Sequence, residues 1–325
     1  MIYSRVYRLH NLRFSLKGFF EQNFEKITLQ NFVRKIFVSS NSEKKLEYLI
    51  IFALLGAAAL HAWWNFILKG SGDKSVAIMS IYFTSLPFAV IGMALTGIPD
   101  FSTLPLLILS ALLQTGYCIA LFKAYQIGQL STIYPLARGS APIFVFVIAF
   151  VIFDTNYSLQ AIYGIAVICI GLLSYGVVVI LQSNLKKDVT LAALTVGFFI
   201  ALYSITDAYA IKVIGNALSF LGGMAIMNRI FLLSYLYYSE KSFITRLTSE
   251  FEYKYVVGGF ISFICYVTVL WAYLHLPVAV VSSVRETSII FAVLLGIFFL
   301  KEKIDFIKGF MITMVFIGLS IFLGQ

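Results

Sequence analysis

Ten apolar runs, each about 20 residues long, follow one another from Tyr48 to the end of the chain. That is the length an α-helix needs to cross about 30 Å of hydrocarbon at 1.5 Å per residue. The runs are read as spans 1 to 10, over residues 48–68, 76–96, 104–124, 132–153, 159–181, 190–211, 217–238, 255–274, 278–300 and 305–323. Hydrophobic residues make up 60% of the chain and charged residues 12%, against about a quarter charged in a soluble domain. A water-soluble globule has too little interior for that much apolar surface. The expected class is therefore an all-α membrane protein of ten transmembrane helices, with a basic N-terminal extension. The connections are short and carry turn residues: Gly70-Ser71-Gly72-Asp73, Gly97-Ile98-Pro99-Asp100, Asp154-Thr155-Asn156 and Gln182-Ser183-Asn184. The longest, 239–254, is charged, and none has room for a soluble catalytic domain.

The net charge of +9 is concentrated rather than spread. Residues 1–47 hold nine Lys/Arg and four Glu, which suits a flank meeting anionic lipid headgroups and requires no nucleic acid. Three readings of this stretch stay open. Phe20, Phe24, Ile27, Phe32 and Ile36 recur at helical spacing and suit an interfacial helix. Arg5, Arg8, Arg13 and Lys17, with no acid among the first twenty residues, suit a transit peptide. The third reading is that translation starts downstream. Orientation is similarly divided. The connections after the odd-numbered spans carry about ten Lys/Arg and the others only Lys212, which places the former in the cytoplasm and both termini outside. The basic N-terminal stretch argues the reverse. Cys118, Cys169 and Cys265 lie inside apolar runs without CxxC or metal-ligand spacing, and are read as small buried side chains.

The halves of the chain echo each other. Ala124-Tyr125 precedes Arg138 much as Ala272-Tyr273 precedes Arg285. Beyond each Arg, Ile143-Phe144 aligns with Ile290-Phe291, and Ile170-Gly171 with Ile317-Gly318. Ala58 through Lys69 in span 1 aligns with Ala201 through Lys212 in span 6. The matches keep their order across spans 1/6, 3/8, 4/9 and 5/10, which divides the chain into five-helix repeats at 48–181 and 190–325. A unit with an odd number of helices, repeated in tandem, inserts the second time upside down. Inverted repeats are an architecture of secondary transporters, whose solute site lies at the repeat interface near the midplane.

Three segments then resemble the drug/metabolite transporter superfamily in its ten-helix EamA-type branch, over about residues 45–325. They are Leu60-His61-Ala62-Trp63-Trp64-Asn65 with Lys69 and Ser71-Gly72-Asp73; Ala124-Tyr125 with Tyr134-Pro135-Leu136-Ala137-Arg138-Gly139-Ser140-Ala141-Pro142; and Val284-Arg285-Glu286-Thr287-Ser288 with Leu300-Lys301-Glu302-Lys303. That family usually has Gly-Glu or Lys-Glu after span 4, where this chain has Phe153-Asp154-Thr155. The resemblance implies export, uptake or exchange of metabolites without ATP and leaves the solute open.

Charge near the bilayer centre costs at least about 2.5–3.5 kcal/mol per Arg or Asp, so an ionisable residue inside a span is a functional candidate. Arg138, Asp207, Arg229, Arg285 and Glu286 qualify, with structural ion pairing as the competing reading for each. Three Arg against two acids leave one positive charge, from which an anionic or zwitterionic solute is expected. Glu286 or Asp207 is the candidate for a coupling proton. Pro135 and Pro142 bracket Arg138 and each removes a backbone donor, so span 4 is expected to kink beside the solute path with Arg138 aimed into it. Span 9 lacks the second proline and is expected to differ. Trp64 and Asn65, with Trp63, either line the cavity mouth or anchor the helix at the interface. Gln114, Tyr117, Tyr134, Tyr203 and Asn228 either hydrogen-bond a solute or join helices; His61 is a weaker proton-relay candidate.

The expected protein is thus a secondary transporter, multi-pass in a bacterial inner membrane. Its partners are a small-molecule solute, membrane lipid, and a coupling proton or counter-solute. No cofactor, metal or nucleic acid is called for. Rival readings are a lipid or drug flippase, a membrane enzyme, and a receptor. The enzyme would need a clustered acid/base or metal constellation; the sequence has no HExxH, no Asp-rich loop, and its His residues stand apart at 10, 61 and 275.

Overall fold

The computed structural model describes residues 40–69, 72–128, 130–153, 158–182, 187–300 and 306–323. Residues 1–39, the Asn65 side chain and Lys301-Glu302-Lys303 lie outside the described residues. The described chain is helical throughout: α1 Ser40–Lys69, α2 Lys74–Thr84, α3 Leu86–Thr96, α4 Leu104–Ile127, α5 Leu130–Phe153, α6 Leu159–Gln182, α7 Lys187–Ile214, α8 Ala217–Ser239, α9 Lys241–Ser249, α10 Lys254–Tyr273, α11 Val278–Arg285, α12 Ser288–Leu300 and α13 Phe306–Leu323. Among the described residues, eight segments are long and apolar enough to cross a membrane, and two shorter apolar helices, Leu136–Val151 and Phe306–Ile321, accompany them. Large apolar side chains such as Phe150, Leu181, Phe198 and Phe298 face outward, as a bilayer solvent requires.

Short polar residues set the helix starts. Asp73 Oδ1 accepts from the N–H groups of Ser75 and Val76 at 2.8 and 3.2 Å, opening α2. Asn216 Oδ1 accepts from Leu218 and Ser219, both at 3.0 Å, opening α8. Each satisfies donors that the first helical turn leaves without partners. Just before it, Gly215 closes α7 with φ 76°, a conformation that favours glycine.

Among the described residues, spans 2 and 9 are interrupted. α5 runs without a break through Pro135 and Pro142. Span 2 divides at Ser85, where Pro87 lies in the first turn of α3 and cannot donate to the preceding turn. Span 9 divides at Glu286-Thr287 without any proline. There the Thr287 hydroxyl donates to Val284 O at 2.7 Å, and the N–H groups of Thr287 and Ile289 bond three residues back, at 3.1 Å each. A hydroxyl that competes for backbone carbonyls, together with tightened turns, ends the α-helical ladder. The expected difference between spans 4 and 9 takes this form: span 4 is one helix, and the break lies in span 9, beside Arg285 and Glu286.

α1 packs on α12 and on α10, and α7 packs on α5 and on α4. α10 packs on α2, and α4 packs on α8. α6 packs on α13. Close approach is achieved with glycine. A Cβ on Gly259 of α10 would fall 2.8 Å from the backbone N of Ser85, and one on Gly318 of α13 would fall 2.8 Å from Gly164 O of α6. Small residues at such crossings are how membrane helices gain packing without a hydrophobic drive between them.

The charged connection 239–254 contains a helix that the hydropathy pattern did not reveal. α9 turns Phe243 inward, fully buried, against Phe122 of α4 at a ring-centroid distance of 4.8 Å. Its Arg246 pairs with Asp73 Oδ2 at 2.6 Å, at a half-exposed position. Phe243→Ala is expected to destabilise the protein by roughly 3–5 kcal/mol. Arg246→Ala is expected to cost under about 1 kcal/mol, since exposed pairs contribute little. Thermal unfolding of both variants in detergent checks the ranking, and equal losses would contradict it.

Candidate functional site

A cavity of 150 Å³ lies inside the bundle, walled by α1, α2, α3, α4, α5, α7, α8, α10 and α11. Helices from both halves of the chain therefore meet around it. It is smaller than the roughly 300–1,000 Å³ of ordinary ligand pockets, so this conformation has room for a solute of only a few heavy atoms. Its walls are apolar and aromatic, interrupted by three arginines: Arg138, Arg229 and Arg285.

Two of these arginines share one carboxylate. Arg138, buried on α5, donates through Nη1 to both oxygens of Glu286 at 3.1 Å. Arg285, in the last turn of α11, donates through Nε to Glu286 Oε1 at 3.2 Å, and its Nη2 lies 3.4 Å from Ser204 Oγ. Glu286 is fully buried at the span 9 break. The break lets consecutive residues 285 and 286 turn toward the same place, which a continuous helix would separate by about 100°. This cluster joins span 4 to span 9, and its net charge is +1. His61 of α1 lies against it, with Nε2 in contact with Arg138 Nη2, while its Nδ1 accepts from Trp64 Nε1 at 3.1 Å. A neutral imidazole accepts through one nitrogen only, so Arg138 and Trp64 compete for the ring.

Asp207 of α7 stands apart from that cluster. It is fully buried and accepts from three neutral groups: Ser110 Oγ, Tyr266 OH, and Gln114 Nε2 at 2.9 Å. Among the described residues it makes no ion pair. Gln114 continues the network, because its Oε1 accepts from Tyr82 OH at 3.1 Å. One hydrogen-bonded chain thus runs from α2 through α4 to α7 and α10.

Arg229 of α8 occupies the third position. Its guanidinium lies 4.0 Å from the centroid of the Tyr82 ring. Nη2 donates to Tyr82 O at 2.8 Å and Ser85 Oγ at 2.7 Å, and Nη1 donates to Asn228 Oδ1 at 3.0 Å. The span 2 break at Ser85 makes that carbonyl and hydroxyl available. Asn228 is itself held by Thr115 Oγ1 at 2.9 Å.

Of the residues singled out from sequence, Arg138, Arg229, Arg285, Gln114, Tyr117, Tyr134, Tyr203 and Trp64 line the cavity. Glu286, Asp207 and Asn228 lie directly behind it, each bonded to a lining residue. Tyr117 and Tyr203 pack edge to face at 5.4 Å, and Tyr134 OH lies 3.3 Å from Ser288 Oγ. Sequence reading did not single out Tyr82, Ser85, Ser110 and Tyr266. Ser85 carried a usable signal, since it stands two residues before Pro87 inside an apolar run. The other three are single polar residues in apolar helices, which hydropathy does not rank.

Residues 189–324 match the model of the EamA-like transporter family. No curated protein matches the sequence. A solved crystal structure is similar over 87% of this chain and 96% of its own, with TM-score 0.65 and 13% identity, a likeness of fold. The apolar helices make the chain a multi-pass integral membrane protein. Over residues 189–324 the chain is similar to the EamA-like transporter family, consistent with a membrane transporter of the drug/metabolite type.

Proposed function

We propose that the protein is a secondary active transporter of small anionic or zwitterionic metabolites, working by alternating access between two inverted five-helix repeats. The observation that carries this reading is the interior cavity, to which both halves contribute walls and into which three buried arginines project against one carboxylate held by two of them. Ionisable groups inside a span cost several kcal/mol, and a water-reachable solute path is what offsets that cost. The repeat reading draws support from packing: exchanging each span with the one five places later turns the α1–α12, α1–α10 and α10–α2 contacts into α7–α5, α7–α4 and α4–α8. Asp207 is the carboxyl assigned to a coupling proton, because Glu286 is already neutralised by two guanidinium groups while Asp207 meets neutral donors only.

The test is uptake by liposomes containing the full chain, comparing propionate, alanine and ethylammonium at equal concentration. Saturable uptake of the anion or the zwitterion, with none of the cation, is expected. Uptake of the cation alone would overturn the solute class.

A further inference from the structure

The charges around the cavity are not equivalent, and the difference locates the solute's anionic group. Arg138 and Arg285 each touch Glu286 directly. Arg229 touches no carboxylate among the described residues; its three partners are a carbonyl, a hydroxyl and an amide oxygen, all neutral. It is 6% exposed, it lines the cavity, and its Nε–H is buried without a hydrogen-bond partner. A guanidinium presents five N–H donors and cannot shed its charge in a protein. A buried cation surrounded by neutral acceptors, with a donor left over, is complete only when an anion arrives. The alternative of a purely structural cation does not account for the unused donor or for the open wall beside it.

The groups that hold Arg229 also fix where that anion would sit. The Tyr82 ring, its centroid 4.0 Å from the guanidinium carbon, covers one side of the guanidinium, so the solute approaches from another side. Ser85 and the Tyr82 carbonyl hold Nη2 at the span 2 break. The same Tyr82 donates its phenol to Gln114, which donates to Asp207. Occupancy at Arg229 and the state of Asp207 are therefore connected through two side chains. The Arg138–Glu286–Arg285 cluster, by contrast, joins spans 4 and 9 with its charges mostly satisfied from within.

We infer that Arg229, seated on Tyr82 and Ser85, is the receptor for the anionic group of the solute, a carboxylate or a phosphate, and that the Arg138–Glu286–Arg285 cluster is a joint between the halves rather than the anion's first partner. This assignment rests on the transport reading above and sharpens it by naming the subsite.

The experiment uses the full chain in detergent, with Trp64 beside the cavity as fluorescence reporter and thermal unfolding as second readout. The probes are propionate, its neutral counterpart propionamide, alanine and inorganic phosphate. In the unsubstituted protein at least one of the anionic or zwitterionic probes is expected to bind and protect, and propionamide is not. A charge-assisted contact of this kind corresponds to about 10-fold or more in affinity. Arg229→Gln is expected to lose that factor, whereas Arg229→Lys, which keeps the charge and guards against misfolding as the explanation, is expected to retain part of it. Protection by phosphate alone would keep the subsite and identify the anion as phosphate. Undiminished anion binding in Arg229→Gln, with loss in Arg285→Gln, would overturn the assignment while leaving the transport reading intact. Absence of anion-dependent protection in the unsubstituted protein, or protection by propionamide equal to that by propionate, would overturn both.

Discussion

Glu286→Gln is expected to be the most damaging single substitution in the protein. Glu286 is fully buried and receives hydrogen bonds from two arginines that are themselves buried. Removing its charge leaves two guanidinium groups facing each other in a low-dielectric interior. Breaking a buried ion pair by deleting one partner costs roughly 3–5 kcal/mol, much more than the pair contributes relative to an apolar replacement. The substitution also falls at the span 9 break, so the loss is expected to disturb α11 and α12 together. A large drop in the unfolding temperature and in recovery of monodisperse protein from detergent should follow. The double variant Arg138→Gln with Glu286→Gln restores the balance of charge and is expected to recover part of the loss, since residues sharing one network are not additive. A double variant no more stable than Glu286→Gln alone would mean that the cluster's role is not electrostatic.

Asp207→Asn is expected to separate exchange from accumulation. Asn has the shape of Asp and no titratable proton. Solute-for-solute exchange across a liposome membrane should persist, because the cavity and its arginines are unchanged. Accumulation driven by a proton gradient should fall to the level of empty liposomes. The replacement amide also brings donors toward Gln114 and Tyr266, which already donate there. A stability loss of about 1–3 kcal/mol from imperfectly paired groups is therefore expected alongside, and unfolding measured in parallel keeps the two effects apart. Gradient-driven accumulation by Asp207→Asn equal to that of the unsubstituted protein would make Asp207 a structural residue.

Much of the helical layout was legible because membrane helices are constrained by one solvent. Each apolar run had to be about 20 residues long, and, apart from α1, which begins at Ser40 rather than at 48, the helices fall within a few residues of the sequence-based bounds, for example 104–124 against Leu104–Ile127 for α4. The buried charges were legible for the same reason: Arg138, Asp207, Arg229, Arg285 and Glu286 stand out in apolar surroundings. What hydropathy does not encode is which of them meet. Pairing Glu286 with both Arg138 and Arg285 depends on a break at Thr287, and that break arises from hydroxyl-to-carbonyl hydrogen bonds rather than from a proline. α5, which holds Pro135 and Pro142, keeps one helical run from Leu130 to Phe153, because a proline in a membrane helix removes a donor without having to end the helix. Tyr82 and Ser85 became visible only through Arg229, whose partners come from a helix well separated in sequence. α9 was missed because nine residues with one buried aromatic give too short a pattern against a charged background.

The proposal of alternating access stands or falls on whether the cavity is reached from each side of the membrane in turn. Cys118 lines the cavity and is buried, so a protein retaining it alone, with Cys169→Ala and Cys265→Ala, carries its own reporter. Reaction of that thiol with a small membrane-impermeant methanethiosulfonate, applied from inside or outside sealed vesicles, measures the access directly. Alternating access predicts modification from both sides, with a saturating solute raising the rate on one side and lowering it on the other. Modification from one side only, whatever solute is present, would contradict it.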